Sequence, residues 1–341
     1  RAGKAEAGEA AVAKAATGGA AVPGVGIRFV YADSPASRAG LAVGDRIVEL
    51  SGEAISSSVQ LSDRISRIRP DESVALVVIR NGKRESLDVR LSSVPNVIPE
   101  ELAAAVQSPA KPADAGAADA DADRKKPNDQ DETAAKTGRF SRKLDGDDRD
   151  YLMYVPDSYR ADQPMSLLVW LHPRGGSYEA TIMRAWKSIC DHRGVILVAP
   201  KAAPPGQWSP NDVDFVTSIV KKVRDDYAIA PERIAVHGFS DGALFAALVA
   251  TRSGETFRGV LMAGSPLRQA PPENSPMERR QFHLIVGEKD PVLQFVDRTI
   301  DALEKMKIPV TVRKVPDLES KYPSDAAIDE AGRWLDSLDR I

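Results

Sequence analysis

From about residue 139 to its end, the chain alternates two kinds of segment, and this alternation restricts the fold more than any other feature. "MSLLVWLH", "GVILVAP", "RIAVHGF", "RGVLMAG", "QFHLIVG" and "VTVRKV" are near-continuous apolar runs of strand length. Strands read this way when both faces of their sheet are covered. Amphipathic stretches lie between and after them, at 179–193, 212–227, 242–253, 292–307 and 324–338. The pattern predicts a mostly parallel sheet wrapped by helices. Ahead of it, "GRFSRKL" and "RDYLMYVP" flank Asp145–Gly146, which predicts a hairpin. In sheets of this kind, chemistry gathers at the carboxyl ends of the strands.

The chain has 341 residues, more than the ~100–200 of one ordinary domain. Residues 1–22 are rich in Ala, Gly, Lys and Glu, with no apolar stripe to pack a helix, and are expected to form a loose lead-in. Residues 23–94 hold short apolar runs, "VGIRFV", "DRIVEL", "SVALVVI" and "SLDVRL", cut by Gly, Asp, Asn and Ser. Asn81–Gly82 between two of them signals a second hairpin, and 59–68 carries Leu61, Ile65 and Ile68 on one helical face. This predicts a small, mostly β domain. Residues 95–137 are Ala, Pro, Asp and Lys with almost no large apolar side chains, so they cannot offset their ordering entropy and are expected to be a disordered linker. "DAGAADADAD" within it lacks the acidic twelfth ligand of a calcium loop. The remainder, 138–341, is the second domain.

Bulk properties exclude several function classes. A net charge of -3 gives no global field for nucleic acid or an acidic membrane. The apolar runs are far shorter than the ~20 residues of a membrane helix. Cys190 is the only cysteine, so no intramolecular disulfide forms, and the scattered histidines show no metal-ligand spacing. No cofactor fingerprint is present. The chain begins at Arg1 rather than Met, and we expect that a preceding segment was removed.

"HGFSDG", residues 237–242, falls where a strand turns into a helix. Gly-x-Ser-x-Gly in that position lets strand and helix approach closely around a strained Ser240 and pushes its Oγ out at the top of the sheet, as a nucleophile requires. An oxyanion hole needs backbone N–H groups from the next residue, Asp241, and from the loop after an earlier strand. "LHPRGG" supplies that loop. Arg174 is its candidate donor, because Pro173 has no N–H. An acid should follow in chain order, and Asp290 lies just past the end of "HLIVG", with Glu288 as its rival. Asp290 also suits the cap of a helix starting near Pro291.

Over ~139–341 the blocks "RDYLMYVPDSY", "LLVWLHPRGG", "WSPNDVDFVTSIVKKVRDDY", "PERIAVHGFSDGA", "VGEKDPV" and "YPSDAAIDEAGRWL" resemble, in order, the esterase D and polyhydroxybutyrate-depolymerase-like branch of the α/β-hydrolases. The resemblance implies a cofactor-free carboxylic-ester hydrolase with Ser240 as nucleophile and Asp290 as acid. It also implies a base histidine just before the last helix, in a segment like Gly-x-Gly-His-x-Tyr-Pro. Here that segment reads "DLESKYP", and Ser320 occupies the histidine position. A hydroxyl cannot act as general base near neutral pH. Loss of one triad member costs ~10⁴–10⁶ in turnover.

The other histidines are poor substitutes. His283 begins the strand leading to Asp290, about 23 Å of strand away. His192 is at that same wrong end. His237 sits inside a strand and reads as core. His172, which in the family structures the oxyanion loop, is the one candidate substitute base. The reading is therefore a degenerate hydrolase that works by binding a small ester or acyl ligand; the alternative is a low-efficiency serine esterase using His172 or another group.

"GVGIRFVYADSPASRAGLAVGDRIVELSGEAISS" resembles the bacterial type of PDZ domain, over ~23–94. Such domains add an extended peptide to a sheet edge. The resemblance implies a carboxylate loop at 23–27 with Val25, Gly26 and Ile27, a receiving strand at 27–30, and a pocket lined by Leu61 and Ile65. The implied partner is a peptide or protein C-terminus, and the domain pairing implies a periplasmic or secreted location.

Overall fold

The computed structural model describes residues 24–100, 135–176, 178–274 and 279–340. The expected lead-in and most of the expected linker lie outside them. The first domain contains β1 (Val25–Gly26), α1 (Pro35–Arg38), β2 (Arg46–Leu50), β3 (Glu53–Ala54), α2 (Ser58–Ser66), β4 (Ser73–Arg80) and β5 (Lys83–Arg90). Its sheet runs β1-β2-β4-β5, with β3 paired to β2. The Asn81–Gly82 turn is the one expected. Arg80 pairs with Lys83, and both turn residues have positive φ, 49° and 76°, as a tight hairpin of right-twisted strands demands. Leu41, Ile47, Leu50, Ile55, Leu61, Val74, Leu76, Val78 and Val89 form its core.

The second domain contains β6 (Gly138–Lys143), β7 (Asp150–Val155), β8 (Met165–Leu171), α3 (Glu179–Arg193), β9 (Val195–Pro200), α4 (Val213–Asp226), β10 (Ile229–Phe239), α5 (Asp241–Arg252), β11 (Gly259–Ala263), β12 (Gln281–Gly287), α6 (Val296–Lys305), β13 (Val310–Val315) and α7 (Asp325–Asp336). The β6–β7 hairpin is the one signalled by Asp145–Gly146. The eight-stranded sheet runs β13-β12-β11-β10-β8-β9-β7-β6, parallel except at the β6–β7 and β7–β9 pairs. Both faces are covered, as the apolar runs required. One core gathers α4, α5 and α6 residues such as Val216, Ala246 and Leu303; the other gathers α3 and α7 residues such as Trp186, Ile189 and Trp334. The architecture is the expected one, a mostly parallel sheet wrapped by helices behind a small, mostly β domain.

Two expectations need correction. Leu61 is 1% exposed and packs into the first domain's core, so it does not line an open pocket; Ile65 is half-buried against the same core. Residues 95–100, expected to begin the linker, lie along the second domain instead. Asn96 Nδ2 donates to the Val310 carbonyl at 2.9 Å, Ile98 packs against the α3–α7 core, and Arg340 donates to the Pro95 and Val97 carbonyls. Composition hides this docking, because it is made by backbone carbonyls, the Asn96 amide and one apolar side chain.

Candidate active site

β10 lies at the centre of the sheet, between β8 and β11, and Ser240 follows its carboxyl end. The turn is as sharp as the motif implied. Ser240 has φ 54° and ψ -122°, a conformation side chains rarely adopt, and immediately precedes α5. Its N–H donates to the Ala263 carbonyl at 2.9 Å, which ties it to the end of β11. The two motif glycines are required by contact. A Cβ on Gly238 would stand 2.2 Å from the Gly242 carbonyl, and one on Gly242 would stand 2.1 Å from the Leu171 carbonyl. No side chain fits either gap.

The two residues expected to supply oxyanion donors meet through their side chains. Arg174, in the turn after β8, reaches the Asp241 carboxylate at the start of α5, Nε to Oδ2 3.5 Å. Both side chains are exposed, so the pair adds little stability.

Asp290 is buried (5% exposed), whereas Glu288 is exposed, which favours Asp290 as the acid. Its Oδ1 accepts from the Val292 N–H at 3.0 Å, capping the turn Pro291–Phe295, so the capping role is real. Its Oδ2 faces Gly264, 3.8 Å from where a Cβ would stand. Gly264 follows Ala263, the residue that holds Ser240. The acid's free oxygen therefore faces the strand end that carries the nucleophile's anchor.

The segment that holds Ser320 packs against the residues just before Asp290. The Lys289 N–H donates to the Leu318 carbonyl at 3.0 Å, Lys289 Nζ pairs with Asp317 Oδ1 at 2.7 Å, and a Cβ on Gly287 would meet the Leu318 carbonyl at 2.0 Å. The segment is thus pressed against the β12 end, and Ser320 within it is exposed.

The four histidines are all engaged elsewhere. His172 is buried at 2% exposure; Nδ1 donates to the Pro173 carbonyl at 2.7 Å and Nε2 accepts from the Ala202 N–H at 3.0 Å. Burial holds its pKa below the usual value. With both nitrogens bonded to backbone, the ring has no lone pair to offer Ser240, which corrects the expectation that it could replace the base. It fixes the oxyanion loop against the end of β9. His237 is fully buried, with Nδ1 to the Leu261 carbonyl at 3.0 Å and Nε2 to the Tyr322 hydroxyl at 2.7 Å. Tyr322 also accepts from Trp186 Nε1 at 2.8 Å. Sequence reasoning used Tyr322 only to align the base segment and missed its second task, closing this network. His192 Nδ1 bonds the Ser188 carbonyl on α3, and His283 Nδ1 bonds Thr311 Oγ1. Among the described residues no cluster of His, Cys, Asp and Glu could hold a metal, and no helix is long and apolar enough to cross a membrane.

Comparison with known proteins agrees with this layout. A PDZ-domain family model matches residues 10–91. Its start at residue 10 extends the domain upstream of the expected boundary at 23, into residues outside the described ones. Probable feruloyl esterase C of Aspergillus flavus (strain ATCC 200026 / FGSC A1120 / IAM 13836 / NRRL 3357 / JCM 12722 / SRRC 167) is 31% identical over 157 residues, 43% of this chain and 57% of that protein. The chain thus spans little more than half the length of that relative. A probable periplasmic serine endoprotease DegP-like of Pseudomonas putida (strain W619) is 37% identical over 67 residues, 20% of this chain and 14% of that protein. Among solved structures, S-formylglutathione hydrolase from Staphylococcus aureus aligns with TM-score 0.47 at 16% identity, covering 59% of this chain and 97% of that one. The chain carries a PDZ domain followed by a region homologous to feruloyl esterases.

Proposed function

We propose that this protein binds rather than turns over its ligands: the PDZ domain takes a peptide or protein C-terminus, and the hydrolase domain holds a small ester or acyl ligand over Ser240. The observation that supports this reading is Ser320, exposed and standing where the resemblance expects the base histidine. A triad works because imidazole takes the nucleophile's proton near neutral pH; a serine hydroxyl has far too low a proton affinity. Tyr178, just after the oxyanion loop, and Phe295, ending the turn after Asp290, are exposed rings (44% and 46%) that offer apolar contact to an acyl group. The periplasmic proteases and feruloyl esterases among its relatives support a location in the periplasm or outside the cell.

The strained Ser240 and the paired Arg174 and Asp241 favour a second reading, a low-efficiency esterase. Turnover of p-nitrophenyl acetate and butyrate separates the two. Wild type is expected to match Ser240→Ala, while Ser320→His gains roughly 10²-fold or more by regaining a base. Activity in wild type that vanishes in Ser240→Ala would overturn the binding reading.

A further inference from the structure

The PDZ sheet has an edge at β1 and its continuation, residues 27–30, and α2 packs over the same core through Leu61 and Ile65. A sheet edge flanked by a helix is where an extended peptide adds as a further strand. Both walls of that groove are held by the chain's own hydrolase domain. On the edge side, Arg28 donates to the Asp336 carbonyl at 2.9 Å, to Asp336 Oδ1 at 3.3 Å and to Asp339 Oδ2 at 3.1 Å. Arg340 lies over the Tyr31 ring, 5.3 Å from its centroid. On the helix side, Ser62 is turned about 100° away from the core-facing Leu61, yet it is only 4% exposed. Arg279 covers it, donating to the Ser62 carbonyl at 3.0 Å and to its Oγ. The same domain thus contacts both the edge segment, at Arg28, and the helix, at Ser62.

The partners on the hydrolase side belong to a connected set. Asp336 is also bound by Arg193 at 2.8 Å, and Asp339 lies 3.3 Å from Arg233. Arg28 therefore completes a network of three arginines and two aspartates. The contact is desolvated enough that burial and Asp339 together push the Tyr31 hydroxyl up to about 12. It lies far from the nucleophile: Arg233 is seven residues before Ser240 along β10, about 23 Å of strand.

We propose that the hydrolase domain covers the peptide groove of the PDZ domain, through Arg279 on Ser62 and the Asp336–Asp339 pair on Arg28, so that a partner's C-terminus binds only in competition with this contact. The proposal rests on the peptide-binding reading above. It makes the affinity for peptide depend on how often the two domains part, and it leaves the Ser240 end of the sheet open throughout.

The test loosens the contact from the hydrolase side, leaving the groove's own residues intact. Hydrogen exchange of 27–31 and 58–66 is compared in the full wild-type chain, Arg279→Ala, and Arg279→Glu with Asp339→Lys. A library of random heptapeptides displayed with free carboxyl termini is then selected on each protein, and the selected peptides are measured against all three. Expected are faster exchange and peptide affinity at least about tenfold tighter in the double variant, the ratio for a groove open a tenth of the time in wild type. Arg279→Ala, which leaves the aspartates untouched, moves both in the same direction. Equal exchange and equal affinity in all three overturn the covered groove while leaving peptide binding standing. Faster exchange with no peptide selected by any protein overturns the peptide-binding reading and with it the competition.

Discussion

Two buried imidazoles set the response of the hydrolase domain to acid. His237 is enclosed by Trp170, Trp186 and Tyr322, and its ring nitrogens are spent on the Leu261 carbonyl and the Tyr322 hydroxyl. His283 stacks on Trp334; its Nδ1 bonds Thr311, and its buried Nε2 has no hydrogen-bond partner. Neither site has room for a hydrated charge, and burial pulls both pKa values from 6.5 to about 3. Because the folded values are depressed, the unfolded chain takes up protons first on acidification. The stability these groups contribute is complete above 6.5 and is lost as pH falls from 6.5 towards 3. Between pH 7 and pH 5 each costs about 2 kcal/mol, so the pair costs about 4 kcal/mol.

The assay is urea unfolding followed by tryptophan fluorescence. Trp170, Trp186, Trp208 and Trp334, the only tryptophans, all lie in the hydrolase domain, so the signal reports that domain alone. His237→Phe is expected to lower stability at pH 7 by about 1–3 kcal/mol, because Tyr322 and Leu261 lose a partner. It should also halve the loss on going to pH 5. Stability that stays flat between pH 7 and pH 5, or an unchanged slope in His237→Phe, would refute the reasoning.

Three further outcomes follow from local geometry. Gly242→Ala drives a methyl group to 2.1 Å from the Leu171 carbonyl and 2.7 Å from that of His172, and should cost at least about 3 kcal/mol in urea unfolding. Ser240→Gly relieves the positive φ and should raise stability by about 1 kcal/mol after glycine's own entropic cost, whereas Ser240→Ala should not; comparison of their Tm values decides. Asp212 accepts from the Ser209 N–H and hydroxyl at 2.8 and 2.9 Å and from Arg149 at 2.6 Å; Asp212→Ala should cost about 2–4 kcal/mol, read by the same unfolding assay.

The parts of this molecule legible in the sequence are those fixed by local patterns. Apolar runs placed the strands of the parallel sheet, and 179–193 is a helix over the very residues its periodicity suggested. Asn81–Gly82 and Asp145–Gly146 marked their hairpins because few residues tolerate those turns. Gly238 and Gly242 marked the elbow for a similar reason. What stayed hidden depends on partners distant in the chain. Arg28 meets Asp336 across 308 positions, and nothing in "GIRFV" distinguishes that arginine from a solvated one. Leu61 was expected to line a pocket by resemblance alone; its helical periodicity identifies an apolar face without saying whether a core or a ligand covers it. His172 stood near the right place in the chain, and only its two backbone bonds show that the ring is occupied.

On the binding reading, the site also explains how an elbow can outlast its base. Gly238 and Gly242 hold strand against helix at separations no side chain permits, and His172 ties the loop after β8 to the segment after β9 through Ala202. Removing any of these disturbs the packing at the centre of the sheet, so the fold itself retains them whether or not Ser240 reacts. Asp290 is kept in part for the same reason, since it caps the turn that leads into α6. Ser320 carries no such obligation: it is exposed, and backbone bonds at Leu318 anchor its segment without help from its side chain. Of the three positions Ser240, Asp290 and Ser320, the last is the one whose identity costs the fold least to change. An intact Gly-x-Ser-x-Gly elbow is therefore evidence of architecture before it is evidence of turnover.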